Sequence, residues 1–171
     1  PFVVREVAPV LKEVGDEQEQ AAATLGAEFV DADVEAGTVE LAFKGIEDFT
    51  NPTGNVLGAF LAAMLYDTVG PALLATLPPD QFQSTLQFNV NFLRPVRPGR
   101  ITGKGRIVHR DGDLVYLEAS LHDADQAVIA VATAIARVIP LDRARAAVCP
   151  WPVRGKPPTD DALMGPVAWW P

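Results

Sequence analysis

Between Val56 and Leu77 the chain is apolar on nearly every helical face, with only Asp67 and Pro71 interrupting the run. A helix of this kind must be surrounded by other structure, because no side of it is suited to water. Pro71 has no N–H and clashes with the preceding turn, so a kink or break is expected near Gly70-Pro71. The uninterrupted apolar stretch falls short of the roughly 18 residues that a membrane span needs. The expectation is a buried central helix in a soluble protein, with no membrane partner.

What surrounds it is legible as strands. Leu25 to Asp33 and Thr38 to Lys44 precede the helix, the second with Val39, Leu41 and Phe43 on one face and Thr38, Glu40 and Ala42 on the other. After Pro78-Pro79 come Ser84–Arg94, Arg100–Arg110, Leu114–Asp123 and Ala127–Val138. They are separated by Arg97-Pro98-Gly99, Asp111-Gly112-Asp113 and Asp123-Ala124-Asp125, and such short links favour antiparallel pairing. In the first of these four, Leu86, Phe88, Val90 and Phe92 are expected to face a core. Thr85, Gln87, Asn89 and Asn91 are expected to face solvent or a second subunit, or to meet a ligand.

The flanks differ in kind. Residues 1–37 hold nine acids and two bases, while the whole chain carries −8, so the acidity is concentrated at the start. Val7, Val10, Leu11 and Val14 predict short amphipathic helices over residues 5–23. The last 32 residues hold seven of the 15 prolines and all three tryptophans, Trp151, Trp169 and Trp170. That density of proline argues against helix and central strand, and the indoles favour a tail that wraps the domain. The chain therefore divides into residues 1–24, 25–139 and 140–171. An acidic chain offers phosphate backbones no counterion release, which argues against nucleic acid. A lone Cys149 fits a reducing cytoplasm.

Several chemistries lack their residues. There is no G-x-S-x-G elbow, no Walker loop and no Cys-x-x-Cys, and Gly103-Lys104-Gly105 lacks the third glycine of a dinucleotide fingerprint. His122-Asp123-Ala124-Asp125 reads as a strand end and hairpin turn rather than a metal site. What remains is the polar loop Asn51-Pro52-Thr53-Gly54-Asn55 leading into Leu57-Gly58-Ala59. The first turn of a helix presents unpaired N–H groups and the positive end of its dipole. A glycine there lets a substrate carbonyl approach, or serves only helix–sheet packing.

Two strands, a glycine-led buried helix and four antiparallel strands, in that order, resemble the hotdog-fold thioesterases, particularly the small acyl-CoA hydrolases related to the phenylacetate-pathway enzyme. The resemblance covers roughly residues 25–139. It rests on Asn51-Pro52-Thr53-Gly54-Asn55-Val56, on Gly58 with Phe60-Leu61-Ala62-Ala63-Met64-Leu65, on Ser84 to Phe92, and on Leu93-Arg94-Pro95-Val96 with Gly99. It implies an α+β fold in which an antiparallel sheet wraps a long central helix. It also implies a homodimer or homotetramer joined at sheet edges, with active sites between subunits and no cofactor beyond the CoA of the substrate. By position, Asn51 matches the loop residue that orients water or thioester, Gly58 the glycine whose amide binds the thioester oxygen, and Thr85 the hydroxyl opposite the catalytic carboxylate.

The sequence departs from the pattern at Leu57, where the family has His or Gln, at Ala59, its second glycine, and at Tyr66, its Asp or Glu. Asp67 is one residue late, about 100° around the helix, and Glu47 and Asp48 are other candidate bases. A phenol with a pKa of about 10 is a poor base at neutral pH. Phe60, Met64 and Tyr66 are candidates for an acyl pocket, although core packing suits Met64 better. Arg94 and Arg110 are candidates for nucleotide phosphates at a subunit boundary. Two functions follow: hydrolysis of an acyl-CoA or related pantetheine thioester, or non-hydrolytic acyl-CoA binding on the same scaffold.

Overall fold

A computed structural model of the protein describes residues 21–146. The predicted helices before residue 21, Cys149 and the three tryptophans lie outside the described residues; residues 21–24 are helical. The elements are β1 (Glu28–Asp33), β2 (Thr38–Gly45), a 3-10 turn (Glu47–Phe49), α1 (Gly58–Leu74), β3 (Gln81–Phe92), β4 (Gly99–Asp111), β5 (Leu114–His122), β6 (Val128–Pro140) and α2 (Leu141–Ala146). One six-stranded antiparallel sheet runs in the order β1-β2-β4-β5-β6-β3, leaving β1 and β3 as free edges in this chain.

Strand alternation decides which face receives α1. Val39, Leu41 and Phe43 of β2, Val115, Leu117, Ala119 and Leu121 of β5, and Ala130, Ala132, Ala134 and Ala136 of β6 are all buried on one side. Against them α1 sets Leu61, Met64, Leu65, Thr68, Val69, Ala72 and Leu73, a stripe at three- and four-residue spacing. Its opposite side, Ala59, Ala63 and Tyr66, is exposed yet apolar, which is why the sequence shows no polar helical face.

The helix lies low on the sheet because β4 presents no side chain beneath it at Gly103 and Gly105. A Cβ on Gly103 would stand 2.5 Å from the Thr68 hydroxyl and 2.9 Å from Phe43, and one on Gly105 would stand 2.7 Å from the Thr68 carbonyl oxygen. The Gly-Lys-Gly element is thus a bed for α1. Thr68 turns its hydroxyl to donate to the Met64 carbonyl at 2.7 Å, satisfying a group buried in this contact.

Three local expectations are corrected. The helix runs through Pro71 without a break to Leu74. Burial of Ala72, Leu73 and Leu74 offsets the hydrogen bond that Pro71 cannot donate. The tail is helical over Leu141–Ala146, a stretch that contains none of the tail's prolines. Within β3, a bulge between Thr85 and Gln87 reverses the alternation: Thr85 pairs with Ala136 while Gln87 pairs with Ile135. Leu86, expected in the core, is 53% exposed at the bulge, and Thr85 moves to the helix-facing side with Phe88 and Val90.

Candidate active site

The loop before α1 is a closed ring. Asn51 accepts hydrogen bonds at its side-chain oxygen from the Thr53 N–H (3.0 Å), the Thr53 hydroxyl (2.6 Å) and the Asn55 N–H (3.2 Å). Its own N–H donates to the Asn55 carbonyl at 2.8 Å. This is an Asx-type cage, and it commits the Asn51 oxygen to the loop, so the side-chain NH2 is what remains for a ligand.

The ring delivers the chain to Leu57, the N-cap of α1. The Leu57 N–H donates to the Phe49 carbonyl at 2.8 Å, and the Leu57 carbonyl accepts from Phe60 and Leu61 at 3.0 and 3.3 Å. Leu57 has no side-chain capping bond. The N–H groups of Gly58 and Ala59 consequently have no hydrogen-bond partner among the described residues. An Asn, Asp or Ser at this cap would accept a hydrogen bond from the first turn; leucine leaves these donors to whatever binds there.

A groove of about 360 Å³ opens at this helix end, lined by Asn51, Asn55, Val56, Gly58, Leu61, Phe92, Leu93, Arg94 and Pro95. Phe92 lies against Gly58: a Cβ there would be 3.2 Å from the ring. Of the predicted residues, Asn51, Gly58 and Arg94 line this groove, and Leu57 and Ala59 flank Gly58. Phe60 does not line it, because its ring stacks on Phe49 at 4.0 Å and 14°. Met64 is fully buried in the core. Asn55, Leu93 and Pro95, which belong to the motifs that carry the resemblance but are not among its candidate site residues, complete the lining with Phe92, which strand alternation predicts in the core and the end of β3 carries to the rim.

A second group gathers further along the helix. Tyr66 is half exposed and meets Phe88 edge-on, with ring centroids 5.2 Å apart at 82°. Gln83 reaches α1 at Gly70, its amide nitrogen 3.0 Å from where a Cβ would stand. Thr85 falls between those two contacts on the same face, beside the turn from Tyr66 to Gly70 that carries Asp67. Asp67 is half buried, has no hydrogen bond or ion pair among the described residues, and burial raises its pKa from the ordinary value.

Nine residues separate Gly58 from Asp67, about 13 Å along the helix axis. One chain therefore cannot present both to the same carbonyl. Arg110 stands farther off, on the rung of Val115, Ala136 and Thr85, near the end of the sheet away from Gly58. Glu47 and Asp48 are exposed on the 3-10 turn, outside the groove lining. His122 and Asp123 are occupied in the β5–β6 hairpin: His122 bonds Ser120 at 2.9 Å, and Asp123 accepts the N–H groups of Asp125 and Ala127 at 3.0 and 2.9 Å.

Comparison with known proteins places this geometry in context. Residues 53–130, from the Asn51 loop into β6, match the model of the thioesterase superfamily. A phenylacetic acid degradation-related protein of Ralstonia eutropha JMP134 is 35% identical, with 69% of this chain and 89% of that one covered and a TM-score of 0.67. The fold is shared with a thioesterase family protein from Silicibacter pomeroyi, at 23% identity over 78% of this chain and 98% of that one, TM-score 0.70. It is shared too with the E. coli PaaI protein from the phenylacetic acid degradation operon, at 16% identity over 78% and 94%, TM-score 0.69.

Proposed function

The chain belongs to the thioesterase superfamily of hotdog fold, and from that premise we propose that it hydrolyses the thioester of an acyl-CoA or related pantetheine carrier in a site shared by two copies. The observation that carries the reading is the pair of unbonded N–H groups at Gly58 and Ala59, left free by an apolar N-cap, with Gly58 lining a groove at the helix end. Donors fixed in this way stabilise the negative charge that develops on a thioester oxygen, and they need no reorganisation when it forms.

The general base we assign is Asp67 of the partner subunit. Its carboxylate takes a proton from water while the water oxygen bonds the carbonyl carbon; collapse of the tetrahedral intermediate breaks the C–S bond, and the proton passes to the leaving thiolate. Burial favours this role, because a raised pKa makes a carboxylate a better base. Thr85 and the Asn51 NH2 orient the water. Tyr66 and Phe88 form one wall of the acyl site, with Leu57 and Ala59 at its mouth. Arg94, with Arg110 from the other copy, meets the carrier's phosphates.

The 13 Å separation supports a two-copy site. Two antiparallel helices related by a two-fold axis near Ala62 and Ala63 would bring Gly58 of one copy opposite Asp67 of the other, and alanines permit that approach. The free β3 edge, with Leu86, Phe92 and Leu93 exposed, supports the same assembly, as a homodimer or a homotetramer. No helix among the described residues is long and apolar enough to cross a membrane; we place the enzyme in the cytoplasm, with no cofactor besides the substrate's CoA.

A panel of acyl-CoAs assayed for thiol release tests the reading: turnover that is lost in Asp67→Asn supports it. Tyr66 at the usual carboxylate position favours a second reading, non-hydrolytic acyl-CoA binding. Micromolar binding without turnover of any panel member would establish that alternative and remove the first.

A further inference from the structure

Arg97 lies outside the groove, yet it is tied to the loop that aims the two free amides. Its guanidinium Nη1 donates to the Thr53 carbonyl at 2.8 Å, across 44 residues of sequence. Its neighbour Val96 accepts the Val56 N–H at 2.9 Å. The β3–β4 connection thus holds the Asn51 ring from two consecutive residues. Between them sits Gly54, at φ +78°, with Arg97 Nη1 filling the space where a Cβ would project. Glycine suits the left-handed backbone there, and its missing Cβ leaves the space that the guanidinium occupies.

The bonds form a continuous path to the oxyanion donors. Arg97 holds Thr53; the ring closed by Asn51 transmits that position to Asn55; Val56 is buried and held by Val96; Leu57 gives its N–H to Phe49. Gly58 and Ala59 follow with no fixed partner of their own. Their direction is therefore set by how firmly the ring is seated. Val56 anchors the ring's C-terminal end, and the bond from Arg97 anchors its tip.

We propose that Arg97, locked over Gly54, is a positioning residue for hydrolysis: by holding the Asn51–Asn55 ring it aims the Gly58 and Ala59 amides at the thioester oxygen. This role rests on the hydrolytic reading above. An exposed side chain making one such bond adds little to global stability, whereas misplacing oxyanion donors acts on the transition state.

The test compares Arg97→Ala, Arg97→Lys, Gly54→Ala and the Arg97→Ala/Gly54→Ala pair. Each is measured for kcat and KM on the best acyl-CoA, for thermal midpoint, and for hydrogen exchange over residues 51–59. Arg97→Ala is expected to lower kcat on the order of tenfold at unchanged KM and midpoint, with faster exchange in the ring. Arg97→Lys, which keeps one donor, restores part of the loss. Gly54→Ala expels the guanidinium, so the pair is no slower than the worse single variant.

An unchanged kcat in Arg97→Ala overturns the proposal, as do additive losses in the pair. A raised KM at constant kcat also overturns it, assigning Arg97 to the carrier's phosphates instead. In each of those cases the wild-type enzyme still turns over and the hydrolytic reading stands. A wild-type protein with no thiol release removes that reading and this role together.

Discussion

Replacing Gly105 with alanine tests whether the bare backbone of β4 sets the height of α1. The new methyl would stand 2.7 Å from the Thr68 carbonyl oxygen, where ordinary contact begins at 3.4 Å. The obstacle is main chain, so no rotamer change relieves it, and the helix must lift by about 0.7 Å or the strand must sink. Overpacking of this kind costs typically about 1–3 kcal/mol, and a rigid partner puts it near the upper end. Loss of the glycine's extra unfolded-state freedom returns roughly 0.5–1 kcal/mol, leaving a net destabilisation of about 2 kcal/mol. For a domain of this size that lowers the thermal midpoint by the order of 5–10 °C.

Gly103 supplies the control, since its added methyl would meet the Thr68 hydroxyl and the Phe43 ring, both side-chain atoms. Thr68→Ala removes the hydroxyl, so Gly103→Ala and Thr68→Ala should combine to less than the sum of their separate costs. Gly105→Ala and Thr68→Ala should couple more weakly, because Thr68→Ala relieves only the Cγ2 contact at 3.2 Å and the carbonyl at 2.7 Å remains. Chemical denaturation of the three single and two double variants measures both couplings. A Gly105→Ala protein as stable as wild type, or equal coupling in the two pairs, would refute the claim that main-chain contact seats the helix.

Four further outcomes follow from the site. Leu57→Ser gives α1 a capping oxygen, which should stabilise the protein by about 1 kcal/mol while lowering kcat, since the cap competes for the first-turn amides; calorimetry beside the thiol assay reads both. Asp67→Asn should abolish most turnover, and the acid limb of the wild-type kcat/KM profile should lie above the ordinary carboxylate pKa. The same variant should raise stability at neutral pH: a raised native pKa means that stability falls as pH rises through it, and neutralising the group removes that loss. The gain in Tm should shrink to nothing below about pH 3.9, where the carboxyl is protonated in both states. Tyr66→Phe keeps the edge-on contact with Phe88 and should change kcat by less than about threefold, whereas loss of most turnover would make the phenol hydroxyl part of the chemistry.

Much of the architecture was legible in the chain because burial leaves a periodic record. The helix over Val56–Leu77 and the six strand-like runs correspond to α1 and β1–β6, since apolar residues repeat at the spacing each element buries. Where the record is broken, local reasoning fails for identifiable causes. Pro71 carries a strong breaking signal, but the buried residues beyond it hold the helix together. Leu86 reads as an inward residue until the bulge inserts an extra position, and a bulge is a choice of pairing that the alternating pattern does not encode.

The site divides along the same line. The sequence by itself determined the donors: a polar ring, an apolar cap and a glycine at the start of a helix are consecutive residues, and their chemistry follows from helix ends in general. Only the tertiary structure decided that Thr85 faces the helix, that Phe92 lies over Gly58, and that Arg97 reaches back to Thr53. These are contacts between distant segments, set by sheet register and by how low the helix sits on Gly103 and Gly105. Residues far apart in the chain carry no local mark of meeting, so their juxtaposition exists only once the whole sheet has formed.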